Sequence, residues 1–229
     1  MSSPSSSSSS SASPSSSSSP ADPPAGFSKW LKKLSLVTGV GSSPEQSSQA
    51  LRDFQCRTCD AWKHELMEYS PSVTFMLKHL AQTGNPVTPR NLVCQPCDMT
   101  HSGGFHPDSG NITLCAGSFF NKGHMETTIV HELVHLYDHC KFKTDWQNLR
   151  HHACSEIRAN SLSGDCRYTR ELRRGFGTFS KQHQACVRRR AVISVAANTA
   201  CPSPEAAEKA VNEVWESCFA DTRPFDEIY

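Results

Sequence analysis

His131, Glu132, Leu133, Val134 and His135 set two imidazoles four positions apart, with a carboxylate beside the first. Residues four apart share one face of an α-helix, so the spacing predicts a helix on which both rings can grip one metal ion. Glu132 then lies next to that ion and can act as a base toward water activated there. The flanks agree with a buried helix: Thr127, Thr128, Ile129 and Val130 lead in, and Leu133, Val134 and Leu136 continue the apolar side. The helix is expected from Glu126 to about His139. The bland alternative is a His-rich surface helix with this spacing by coincidence.

A catalytic zinc takes three protein ligands and keeps one position for water. Two carboxylates compete for the third place. Asp138 follows His135 by three residues, on the same helical face. Glu156 follows it by 21, in Cys154-Ser155-Glu156-Ile157-Arg158-Ala159, on a second helix expected over Asn148 to about Ser163. One catalytic zinc held by His131, His135 and Glu156 is therefore expected, with Glu132 as catalytic base. Asp138 is the alternative ligand, although its place better suits a carboxylate that orients a ligand imidazole. His152, one turn before Glu156, is a natural supporting or alternative ligand.

Charge and composition narrow the rest. Across 229 residues, 23 Lys and Arg stand against 22 Asp and Glu. A balance so close to neutral gives no general attraction for nucleic acid. Arg188-Arg189-Arg190 lacks interleaved aromatics and reads as a solvated face or a set of ion pairs. Fifteen of the first nineteen residues are Ser, so residues 1–26 are expected to be a disordered tail. Residues 27–43 form an amphipathic segment and linker, with Phe27, Trp30, Leu31, Leu34 and Val37 on one helical stripe. It suits either a membrane surface or the chain's own domain. Residues 44–229 are read as a single domain.

Within that domain, helices are expected over Pro44 to Tyr69, Val73 to Ala81, Gln182 to about Ala197 and Pro204 to about Ala220. Pro86 to Cys97 and Asn111 to Ala116 read as strands. The second of these is expected to offer an exposed sheet edge to an extended substrate. Arg170 to Phe179 yields no assignment. No apolar run approaches the length of a transmembrane helix.

Eleven Cys is a high count, and their scatter favours disulfides over clustered metal sites. Cys56, Cys59, Cys94 and Cys97 are expected among the bridged ones, with a four-thiolate zinc site as the alternative. An odd total leaves at least one thiol outside any internal bridge. Such a count normally marks an oxidising compartment, yet the N-terminus has no basic region followed by an apolar core.

Long stretches then resemble a known family. They are His131 to Asp138, Asp145 to His151, Ala153 to Ala159, Leu162 to Cys166, Cys186 to Ala191 and Asp221 to Tyr229, with Tyr69 to Val73 and Cys94 to Cys97 upstream. The chain resembles, from about Phe27 to Tyr229, the mitochondrial inner-membrane metalloproteases that double as ATP synthase assembly factors. The resemblance implies a zincin-like α+β fold, mostly helical, with a small antiparallel or mixed sheet before the motif helix. It implies a zinc endopeptidase peripheral to the inner membrane, on its intermembrane-space side. The implied substrate is the precursor of a mitochondrially made, membrane-embedded ATP synthase subunit, whose assembly the protein would also assist. The oxidative folding machinery of that space would supply the disulfides. Two other readings are a non-catalytic zinc-containing binding or assembly module and a nuclear DNA-repair partner. Glu132 argues against the first; neutral charge and abundant Cys argue against the second.

Overall fold

A computed structural model describes residues 43–98, 100–176 and 181–225. The Ser-rich tail, the amphipathic stripe and the last four residues lie outside the described residues. The chain divides into two units, Met1–Ser48 and Gln49–Tyr229. Of the first, only Ser43 to Ser48 is described, where the opening helix begins.

That helix, α1, spans Pro44–Tyr69. Cys59, Lys63 and Leu66 make its buried stripe, at i, i+4 and i+7. The Lys63 ammonium is satisfied by Asp60 Oδ1 at 2.7 Å and the Leu92 carbonyl at 3.1 Å. Ser70 ends α1 and caps α2 (Pro71–Gln82), its Oγ accepting from the Val73 N–H, with Pro71 at the tolerant first position.

Three short strands follow: β1 (Leu92–Gln95), β2 (Gly103–His106) and β3 (Asn111–Cys115). The sheet order is β1-β3-β2, with β1 parallel and β2 antiparallel to β3. This is the expected small mixed sheet, but the expected edge is corrected. β3 is the central strand, because Ile112 and Leu114 are fully buried and both its sides carry partners. The outer strands are β1 on one side and β2 on the other. The β2 sequence, Gly-Gly-Phe-His, has no apolar alternation to announce a strand.

After a short 3-10 turn, α3 (Lys122–Phe142) carries the two histidines. Asn121 caps it by accepting from the His124 N–H, so the helix starts a turn earlier than Glu126. α4 (Leu149–Leu162), the short α5 (Tyr168–Arg173), α6 (Gln182–Ala196) and α7 (Pro204–Phe219) complete the chain. Among the described residues, no helix is long and apolar enough to cross a membrane.

Two apolar cores flank the site. Val73, Met76, Leu80, Leu92, Ile112 and Leu114 pack with Met125, Ile129 and Leu133 of α3. Ile157 of α4 packs with Val187, Ala191 and Val195 of α6 and Val211 and Trp215 of α7. α4 serves both, giving Ala159 to the first core and Ala153 to the second. Small side chains there let the helices approach closely.

Four disulfides staple these layers: Cys59–Cys94, Cys97–Cys115, Cys154–Cys218 and Cys166–Cys186. Cys56, Cys140 and Cys201 are free thiols. The expectation for Cys56 is thereby corrected, and the two CxxC pairs do not converge on a zinc site. On α1, Cys59 faces the sheet and takes Cys94, while Cys97 reaches across to Cys115.

Thiol labelling of protein denatured without reductant should find three reactive cysteines, Cys56, Cys140 and Cys201. Labelling of most of the eleven would overturn this pairing. The Cys154–Cys218 bridge joins residues 64 apart. Replacing both by Ala should lower the unfolding free energy by about 2–4 kcal/mol in a denaturant titration.

Candidate active site

α3 and α4 cross so that one turn of each faces the same point. His131 and His135 arrive from α3 with their Nε2 atoms 3.1 Å apart. Glu156 arrives from α4, with Oε1 3.4 Å from His135 Nε2 and Oε2 3.7 Å from His131 Nε2. A tetrahedral zinc with bonds of about 2.05 Å needs ligand atoms about 3.3 Å apart. The donor set and its spacing fit such an ion: two imidazole nitrogens and one carboxylate within 4.8 Å of one another.

Electrostatics point the same way. Burial acts against a charge on His135, yet Glu156, Glu132 and Asp138 together hold its pKa up at about 9. Burial and the neighbouring His135 push His131 down to about 4. Glu156 is buried, yet it is held well below the usual carboxylate range by His135, His152 and His131. Glu156 thus stabilises positive charge on His135, while His131 is held neutral beside it.

Two of the three candidate ligands, His135 and Glu156, are held from behind. His135 Nδ1 lies 2.8 Å from Ser155 Oγ, in a buried contact. Ser155 also hydrogen-bonds Asp138, which accepts from Arg158 Nε at 3.0 and 3.2 Å. Asp138 therefore lies behind the ring of His135 and outside the converging group. It supports the imidazole through Ser155 rather than directly. Glu156 accepts from Ser194 Oγ at 2.6 Å and Asn160 Nδ2 at 3.1 Å. His152 Nε2 stands 3.5 Å from Glu156 Oε1. Asn198 Nδ2 donates to His152 Nδ1 at 2.7 Å, which places the ring proton on Nε2, facing the carboxylate.

Glu132 sits on α3 facing β2, where the Phe105 N–H donates to its carboxylate. Burial pushes Glu132 up to about 7, against the opposing pull of His135 and that N–H. β2 can come this close only because residue 103 is Gly. A Cβ there would lie 2.8 Å from Thr128 Cγ2 and 3.0 Å from the Thr113 carbonyl. The cleft in front has a volume of about 750 Å³. Phe105 and Trp146 form its aromatic wall, with the Trp146 ring 5.6 Å from His135 and 5.8 Å from His152.

The fold thus brings together His131, Glu132, His135 and Glu156. Ser155, Asn160, Ser194, Asn198 and Trp146 were not among the candidates from sequence. Only Ser155 and Asn160 had a signal, being next to and one turn from Glu156.

The family model described as the Peptidase M76 family matches residues 57–226. A Candida albicans protein described as mitochondrial inner membrane protease ATP23 is 48% identical over 216 residues, covering 89% of this chain and 90% of its own. Proteins of the same description from Meyerozyma guilliermondii and Neosartorya fischeri are 47% and 46% identical, each over 89% of this chain and over 87% and 89% of their own. No solved structure matches. With a site of this chemistry inside a match that spans most of its length, the chain belongs to the peptidase M76 family and is a protease.

Proposed function

We propose that the chain is a zinc endopeptidase peripheral to the mitochondrial inner membrane, on the intermembrane-space side. It processes the precursor of a membrane-embedded ATP synthase subunit and assists assembly of the membrane sector. The observation that carries the chemistry is the convergence of His131, His135 and Glu156 beside Glu132. Relatives named as inner-membrane proteases support the location. Four disulfides suit a compartment with an oxidative folding relay. The assembly role rests on the resemblance of the long motifs.

His131, His135 and Glu156 would hold the zinc. When bound, it supplies Lewis acidity toward the scissile carbonyl and toward water. The chain's own residues do the rest. Glu132, poised near neutrality, takes a proton from the attacking water and returns it to the departing amine. The outer edge of β2 pairs with an extended substrate by main-chain hydrogen bonds. Phe105 and Trp146 shield the reacting bond from bulk water. Ser155 and Asn198 fix the His135 and His152 rings in the required tautomers.

Glu132→Gln should keep its fold and zinc but lose precursor cleavage by a factor of about 10² or more, while assembly of the membrane sector survives. Normal cleavage by that variant would sink the mechanism. Zinc stoichiometry tests the ligands: Glu156→Ala, like His131→Ala, should lose most bound metal, whereas Asp138→Asn should keep it. The reverse pattern would move the third ligand to α3. Ser155→Ala should raise the zinc dissociation constant about 10- to 100-fold in a chelator competition, and unchanged affinity would remove its positioning role.

A further inference from the structure

The arginine run of α6 divides its work among three directions. Arg188 lies over the Trp215 ring at 4.1 Å. Arg189 pairs with Glu171 at 2.8 Å and covers Phe176. Arg190 turns into the cleft, one helical turn before Ser194, which holds Glu156.

Arg190 belongs to a cluster with unequal charges. Asp165 takes Arg170 and Arg174, each at 2.9 Å, and Arg190 Nε at 2.7 Å. Glu171 takes Arg174 at 2.9 Å and Arg189 at 2.8 Å. Four guanidiniums thus share two carboxylates, leaving two positive charges in surplus. Of the four, Arg174 and Arg190 line the cleft.

The attachment of Arg190 leaves its fork free. Nε donates to Asn160 Oδ1 at 2.8 Å, and Asp165 Oδ2 stands 2.7 Å away as an ion-pair partner that accepts no hydrogen bond from it. Asn160 in turn donates to Glu156, so the guanidinium stands two hydrogen bonds from the proposed metal ligand. No group among the described residues takes its Nη1 and Nη2, and its side chain is 40% exposed. A planar donor pair, fixed at its root and backed by surplus charge, matches a carboxylate bidentately.

We infer that Arg190, backed by Arg174, forms an anion subsite that binds an Asp or Glu side chain of the polypeptide substrate near the scissile bond. This deepens the peptidase reading and rests on it. The subsite sets specificity and takes no part in the bond-breaking step.

The test uses two pools of fluorescent decapeptides, identical except that each Glu in one is Gln in the other. Binding is read by anisotropy on zinc-loaded Glu132→Gln protein, which cannot turn them over. The Glu pool should bind about tenfold tighter, in keeping with a charge-assisted pair. Arg190→Gln should erase that difference, and Arg190→Glu should transfer the preference to a Lys pool. Should Arg190→Gln fail to fold, Arg174→Gln carries the test and should narrow the difference. Equal binding of the two pools, or a preference that survives both substitutions, would overturn the subsite. Wild-type protein is assayed in parallel for cleavage of both pools. A pool preference without any cleavage would leave the subsite standing and refute the peptidase reading instead.

Discussion

Glu156 is 5% exposed, and a carboxylate so placed loses several kcal/mol of hydration unless charges and donors replace the water. Here the replacements come from every side. His131 and His135 approach from α3, His152 and Asn160 from its own helix, and Ser194 from α6. Meeting that demand requires three helices to hold their relative positions to a few tenths of an ångström. The crossing of α3 over α4 and the seating of α6 against α4 are therefore conditions on one another. Removing any one of these partners leaves a buried charge less fully compensated.

The same logic operates one layer further back. Arg158 is 1% exposed and is satisfied by the Asp138 carboxylate, the Asp221 carboxylate and the main-chain carbonyls of Asp221 and Arg223. Asp138 in turn supports His135 through Ser155. A continuous polar path thus runs from the segment after α7, through Arg158, to a ring in the active site. Losing Asp138 altogether would take from Arg158 one of its two carboxylate partners and leave Nε without its acceptor, whereas Asn keeps an acceptor there. Cys154–Cys218 fastens α4 to α7 beside this path, so the anchor of the path cannot drift from the helix it serves.

Periodicity and capping carried much of this into the sequence. The four-residue spacing of His131 and His135 pointed to a helix and a face, and the helix expected from Pro204 begins there, capped by Ser203. The place of Glu156 beside the two rings was legible because a carboxylate on a returning helix must lie roughly that far downstream. Other features left no local trace. β2 is a strand because the fold gives Gly103 and Gly104 a partner in β3, and two glycines have no side chains to alternate. Ser155, Ser194 and Asn198 are ordinary polar residues until α4 and α6 meet. Cys56 and Cys59 look equivalent in sequence and lie one turn apart beside the same core, but only Cys59 stands where Cys94 of the sheet can meet it.

The arginine run shows why composition misleads where geometry decides. Consecutive helical residues diverge by about 100°, so three like charges in sequence never act as one patch on a helix. Arg188 and Arg189 spend their charge against a Trp face and a buried carboxylate, as structural parts of the second core's margin. Arg190, rotated onward, shares Asp165 with two other guanidiniums and faces the cleft. A carboxylate shared three ways neutralises none of its partners fully. The residual field falls on the cleft that β2 also lines. A peptide paired with that strand would therefore meet main-chain donors and acceptors and positive charge in one cleft. Register would come from the backbone pairing, and selection among side chains from the charge.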